Sequence, residues 1–125
     1  MPSGGGVGTA RAIAKAYGVF ATGGRELDLR PETIDALQAP AIPARHGFFD
    51  ECLRASARFS LGFTKPSESQ PFGHPGAFGA LGAGGSMGYA DPQTGIGYGY
   101  VTNRMGTHLE GDPRDVALRR AIPAN

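Results

Sequence analysis

Residues Phe72 to Asn103 read FGHPGAFGALGAGGSMGYADPQTGIGYGYVTN, and the alternation in the second half of this run decides the fold. From Ser86 onward, Met87 and Tyr89 fall on one side of an extended chain, with Ser86, Gly88 and Ala90 on the other. That period of two marks a strand. After Asp91-Pro92-Gln93-Thr94-Gly95, the residues Ile96, Tyr98, Tyr100 and Thr102 share one face, and Gly97, Gly99 and Val101 share the other. Pro92 presets φ for the first central position of a turn and Gly95 supplies the positive φ that closes it, so the two segments form a hairpin. The second strand is bulky on one face and nearly bare on the other, a pattern that invites close approach of a helix or another backbone.

Upstream, Ala57, Phe59, Leu61 and Phe63 alternate with Ser56, Arg58, Ser60 and Gly62, which predicts a further half-buried strand. Lys65 to Pro71, polar and bounded by prolines, reads as an exposed crossing. Ile13, Ala16, Tyr17 and Phe20 fall at i, i+3, i+4 and i+7, a helix stopped by Gly23-Gly24. Pro31 and Glu32 suit the first turn of a short helix ending at Gln38, followed by a loop from Ala39 to Gly47. Asp112-Pro113 opens a last helix, with Val116, Ala117 and Arg120 on one side and Pro123 ending it. The fold class expected is α+β, a single unit with a helical and loop part over 1–50 and strands plus the last helix over 51–125. Its antiparallel sheet has about three strands, near Ala55 to Phe63, Gly84 to Ala90 and Ile96 to Asn103, with flanking helices and the last helix laid on the glycine face.

The same run carries a resemblance. His74-Pro75-Gly76, then Gly84-Gly85-Ser86-Met87-Gly88-Tyr89-Ala90-Asp91-Pro92, then Gly99-Tyr100-Val101-Thr102-Asn103-Arg104-Met105, resembles the C-terminal part of the serine β-lactamase-like family, which includes class C β-lactamases, DD-peptidases and esterases of the same fold. The family's third motif is Lys-Thr-Gly or His-Thr-Gly on a strand lining the active site, and His74-Pro75-Gly76 matches it with proline in the middle place. The resemblance implies that the N–H of Ala77, just after Gly76, is one of two oxyanion donors, and that His74 lines the pocket. If the register instead ends at Gly82, the donor is Ala83. Catalysis in this family needs a Ser-x-x-Lys on a helix, which sets an amine one turn from the hydroxyl, with a tyrosine sharing the proton work. No serine here has a lysine three residues on, and no Tyr-x-Asn or Tyr-x-Ser occurs. The resemblance therefore implies the C-terminal portion of an esterase or β-lactamase type hydrolase, with an ester or β-lactam-like small molecule as substrate once an upstream segment completes it. A non-catalytic module is the alternative. In either case the chain alone is expected to expose apolar surface and an unpaired strand edge through which it self-associates.

Other chemistry has less behind it. Gly84-Gly85-Ser86-Met87-Gly88 satisfies Gly-x-Ser-x-Gly, the nucleophile elbow of α/β-hydrolases, but an elbow turns from strand into helix and this segment continues as a strand. A Ser86, His74, Asp91 triad is available only on paper, because triads are defined by geometry. His46 and His108 sit in polar, loop-like contexts without ligand-spaced companions, so neither a metal nor a cofactor is expected. The glycine-rich opening before Thr9 has no strand ahead of it and lacks the dinucleotide spacing, so it reads as a flexible lead-in. Cys52, the single cysteine, reads as a buried or half-buried small apolar residue. With 12 basic and 11 acidic residues in 125, there is no electrostatic case for nucleic acid or an anionic membrane. The absence of a long apolar run points to a soluble, cytoplasmic chain.

Overall fold

The computed structural model describes residues 6–108 and 111–122. The start of the glycine-rich opening and Pro123 lie outside the described residues. Chain order is α1 (Ala10–Ala21), a 3-10 turn (Arg25–Leu27), α2 (Pro31–Gln38), β1 (Phe49–Asp50), β2 (Ala55–Ser56), β3 (Phe59–Ser60), β4 (Phe63–Thr64), β5 (Phe78–Gly82), β6 (Ser86–Asp91), β7 (Ile96–Tyr100) and α3 (Pro113–Arg120). β1 and β2 pair as a small ribbon, and the remaining strands form one five-stranded antiparallel sheet in the order β3-β4-β5-β6-β7. None of the described helices is long and apolar enough to cross a membrane.

The expected hairpin of β6 and β7 forms, with Tyr89 opposite Tyr98 and Asp91 opposite Ile96, and Gly95 takes the expected positive φ, 72°. Two expectations about the sheet are corrected. The predicted strand from Ala55 to Phe63 is three short strands: Leu61 and Gly62 both take positive φ, 50° and 85°, and fold β3 and β4 into a tight hairpin. Leu61 is thus at a turn and 64% exposed, so the alternation through it runs across two strands and never shared one face. The glycine-rich bend before Ser86 contains β5, the central strand. A Cβ on Gly79 would press on Tyr89 Cβ at 2.6 Å, so bare positions in β5 make room for the bulky residues of β6.

The helices sit on the sheet the other way round from expectation. α1, not the last helix, lies on the glycine face: a Cβ built on Gly97 would run into the Gly18 amide and the Ala14 carbonyl, and one on Gly99 would lie 2.6 Å from the Ala10 carbonyl. The helix meets the sheet through Ala10, Ala14 and Gly18, a stripe of small residues one turn apart, which lets its backbone approach. Ala16, placed by periodicity on the buried face, is exposed. Thr9 caps α1 by accepting from the Ala12 N–H at 3.2 Å. On this side Phe78, fully buried, meets Phe63 and Phe20 edge-to-face at 5.2 and 6.1 Å, with Ile34 and Leu37 of α2 completing the cluster. Burying a side chain of that size contributes about 1.5–3 kcal/mol.

α3 lies against the tyrosine face. The Tyr98 hydroxyl donates to Asp115 Oδ1 at 2.8 Å, and Arg119 Nε donates to Asp115 Oδ2 at 2.8 Å and reaches the Pro71 carbonyl through Nη1. Burial, reinforced by the hydrogen bond and charge of Asp115, pushes the Tyr98 phenol up, so this bond stays protonated through the physiological range. Tyr89 stacks on Tyr98 at 5.0 Å and meets Phe72 at 5.4 Å, forming the second apolar cluster with Met87 and Ala77. The supposed exposed crossing begins with Lys65, which is 3% exposed. Its Nζ donates to the Leu37 carbonyl in the last turn of α2 and lies 5.3 Å from the Phe78 ring centre. A cation at a helix C-terminus satisfies an orphan carbonyl, which accounts for a buried lysine without a carboxylate. Cys52, expected inside, is exposed.

Asp112 caps α3, accepting from the Arg114 N–H at 3.0 Å and from its guanidinium at 2.9 and 2.6 Å. The Arg114 guanidinium holds the Asp112 carboxyl down to about 2, from an ordinary 3.8. A depressed carboxyl stabilises the fold above its unfolded pKa and loses that contribution as pH falls through the folded one. Unfolding midpoints should therefore drop as pH falls from about 4 to about 2. Asp112→Asn should flatten the drop, as urea denaturation at stepped pH will show.

Candidate functional site

The two registers considered for the third motif fall at opposite ends of β5. At its start, Gly73 to Ala77 forms a turn in which the Ala77 N–H donates to the His74 carbonyl at 2.8 Å. Ala77 is fully buried. Its amide is committed inside the protein. The His74 ring is held by Asp91 at the far end of β6: Nδ1–H donates to Oδ2 at 2.8 Å, and the His74 backbone N–H reaches the same oxygen at 3.2 Å. Oδ1 accepts from the Gln93 N–H at 3.2 Å. Because a carboxylate only accepts, Nδ1 carries the proton. His74 borders a cleft of about 220 Å³ with Tyr89, Thr94 and Arg119. Gly76 lies beside Gln38 of α2, and a Cβ there would sit 3.5 Å from its side-chain oxygen.

At the other end of β5, Gly82, Ala83, Gly84 and Gly85 turn the chain into β6. The Gly85 N–H donates to the Gly82 carbonyl at 3.1 Å, and Gly84 and Gly85 take φ of 91° and 104°. Ala83 occupies the second place of this turn, where the amide has no partner within the turn, and its N–H makes no backbone hydrogen bond among the described residues. Ala83 is exposed and borders a cleft of about 260 Å³ walled by Leu53, Ala57, Phe59, Ala80 and Leu81. The turn is fastened from below, because Gly106 donates to the Gly84 carbonyl at 2.8 Å and the Asp112 carboxylate fits against Gly85. An N–H without a partner among the described residues, on a fixed glycine turn beside a cleft, has what an oxyanion donor requires.

Ser86 follows that turn as the first residue of β6, opposite Gly82. The chain leaves it as a strand, as the sequence predicted, so the nucleophile-elbow alternative lacks its context: no helix follows to present the serine. Nor does the paper triad assemble. His74 and Asp91 do meet, but Ser86 and Asp91 occupy opposite ends of β6, about 16 Å apart at the rise of a strand. His46 and His108 are both exposed, and no group of three potential metal ligands occurs among the described residues. Sequence reasoning missed the walls of the Ala83 cleft contributed by the β1–β3 segment. Its signal was the density of apolar residues over 53–63, which was read as one strand.

The helix-flanked antiparallel sheet that carries this turn has parallels among known proteins. The structure superposes with a TM-score of 0.77 on a family VIII carboxylesterase at 34% identity, covering 91% of this chain and 31% of that one. It superposes with a TM-score of 0.71 on a penicillin-binding protein homolog from Caulobacter crescentus at 37% identity, covering 88% and 30%. In sequence it is 36% identical over 107 residues to the esterase/β-lactamase LipL of Mycobacterium tuberculosis (strain ATCC 25618 / H37Rv), covering 84% of this chain and 24% of that protein. Residues 1–121 match the Beta-lactamase family, and the chain belongs to it, within the β-lactamase-fold serine hydrolases. It spans less than a third of the length of these relatives.

Proposed function

We propose that this chain supplies the sheet side of the active site of a β-lactamase-fold serine hydrolase acting on an ester or β-lactam-like acyl compound, with the Ala83 N–H as an oxyanion donor. The observation that carries this reading is the unspent Ala83 amide at the mouth of the 260 Å³ cleft. Ala77, the donor in the other register, has its amide bonded to His74 and no exposed surface. In the proposed reaction a serine on a segment outside these 125 residues loses its proton to its base and attacks the acyl carbon. The carbonyl oxygen gathers negative charge against the Ala83 N–H and the serine's own amide. The bond to the leaving group then breaks, the leaving group takes the proton, and water repeats the sequence to release the acid. His74 and Asp91, at the remote end of β5, act as a clamp between the two central strands.

The reading separates from a non-catalytic module by experiment. Purified alone, the chain should hydrolyse neither short esters nor β-lactams above background, and should resist labelling by a fluorophosphonate, because it holds no Ser-x-x-Lys. Turnover should appear when a segment carrying that motif is fused or mixed in. There, His74→Ala should cost about 1–2 kcal/mol of stability and leave kcat within about twofold. Labelling of the isolated chain that vanishes in Ser86→Ala would refute the proposal, and a large loss of kcat in His74→Ala would move the third motif to His74.

A further inference from the structure

The walls of the Ala83 cleft are all neutral. Leu53, Ala57, Phe59, Ala80 and Leu81 line it together with the uncharged polar Ser56, Thr64 and Gln70, and no charged side chain lines it among the described residues. Nearby cations are engaged elsewhere: the Arg54 guanidinium lies over the Phe49 ring at 5.9 Å, the Arg58 guanidinium over Phe48 at 5.1 Å, and Lys65 is turned inward to Leu37. A carboxylate entering this cleft would lose water and find no ammonium, whereas an alkyl group would bury apolar surface there. At about 260 Å³ the space falls below the roughly 300–1,000 Å³ of sites for drug-sized ligands, so it suits a chain of few carbons.

We infer that this cleft takes the short, neutral acyl group of an ester and discriminates against acyl compounds that carry a carboxylate, with Ala80 as the position that sets this choice. Ala80 is exposed on β5, three residues before Ala83, and borders the same cleft. A lysine there would bring an ammonium to the cleft without displacing the core. The inference rests on the reading of Ala83 as the oxyanion donor.

In the protein completed by its nucleophile, kcat/KM should be compared for p-nitrophenyl butyrate and mono-p-nitrophenyl succinate, esters of equal chain length that differ by a terminal carboxylate. We expect a preference of at least about tenfold for the butyrate. Ala80→Lys should narrow that preference about fivefold or more, mainly through KM for the anionic ester, and added salt should erode the gain. Equal use of both esters, or an Ala80→Lys enzyme with an unmoved ratio, overturns the inference. A binding measurement covers the case in which no ester is hydrolysed: amide resonances of Ala80, Leu81 and Ala83 followed during titration with butyramide or succinamate. Shifts with butyramide alone uphold the selectivity while removing the hydrolase reading. Equal shifts, or none, overturn the selectivity itself.

Discussion

Replacing Ala83 with proline is expected to lower kcat of the completed enzyme by about 10²–10³-fold, the loss of about 2.7–4 kcal/mol that follows removal of one oxyanion donor. The substitution isolates the amide cleanly. Ala83 is the second residue of a turn closed by the Gly85 N–H on the Gly82 carbonyl, the place where proline is most at home, and Gly82 before it is already extended. Thermal melts should therefore be unchanged or slightly raised while turnover collapses, with KM changed far less than kcat. Unchanged kcat in Ala83→Pro would remove this amide from the mechanism. Proline at Ala77 should do the opposite, since it deletes a bond to His74 that the fold uses.

The largest stability effect is expected at a glycine with no chemistry. Gly97→Val should cost about 3 kcal/mol or more and lower the melting midpoint by roughly 10 °C, although valine is a far better strand former than glycine. The added Cβ would occupy the space of the Gly18 amide and Ala14 carbonyl, and a backbone cannot step aside as a side-chain tip can. Gly18 itself, on the helix side of the contact, has open space where its Cβ would go. Gly18→Ala should therefore stabilise α1 by about 0.5–1 kcal/mol. Differential scanning calorimetry of the two variants checks the pair, and a tolerated Gly97→Val would mean that α1 does not lie on β7 as described.

These glycines show how much was legible beforehand. The alternation from Ser86 to Thr102 predicted the hairpin and its bare face, because period-two patterning and turn chemistry are local. α1 was found by its periodicity and glycine stop, and α2 and α3 by their first turns, for the same reason. The partner of the bare face was not legible, because either end helix could have covered it and only the Ala10, Ala14, Gly18 stripe discriminates. β5 was missed because Gly79 and Gly82 look like a bend until Tyr89 and Ser86 are placed opposite them. In the site, the resemblance allowed both candidate registers to be named, but not the choice between them. The choice proposed above turns on which amide is already bonded, and the Ala77 N–H finds its acceptor only three residues back, in a turn held shut by Asp91 from another strand.

By itself, then, the sequence determined the three helices and the β6–β7 hairpin, the resemblance to the family through His74 to Met105 and the lack of a Ser-x-x-Lys within these 125 residues. Tertiary structure decided which helix covers which face, which amide stays unspent and which walls surround it. Those outcomes follow from packing between segments tens of residues apart, where a missing Cβ or a single buried carboxylate selects one arrangement and no local pattern records it.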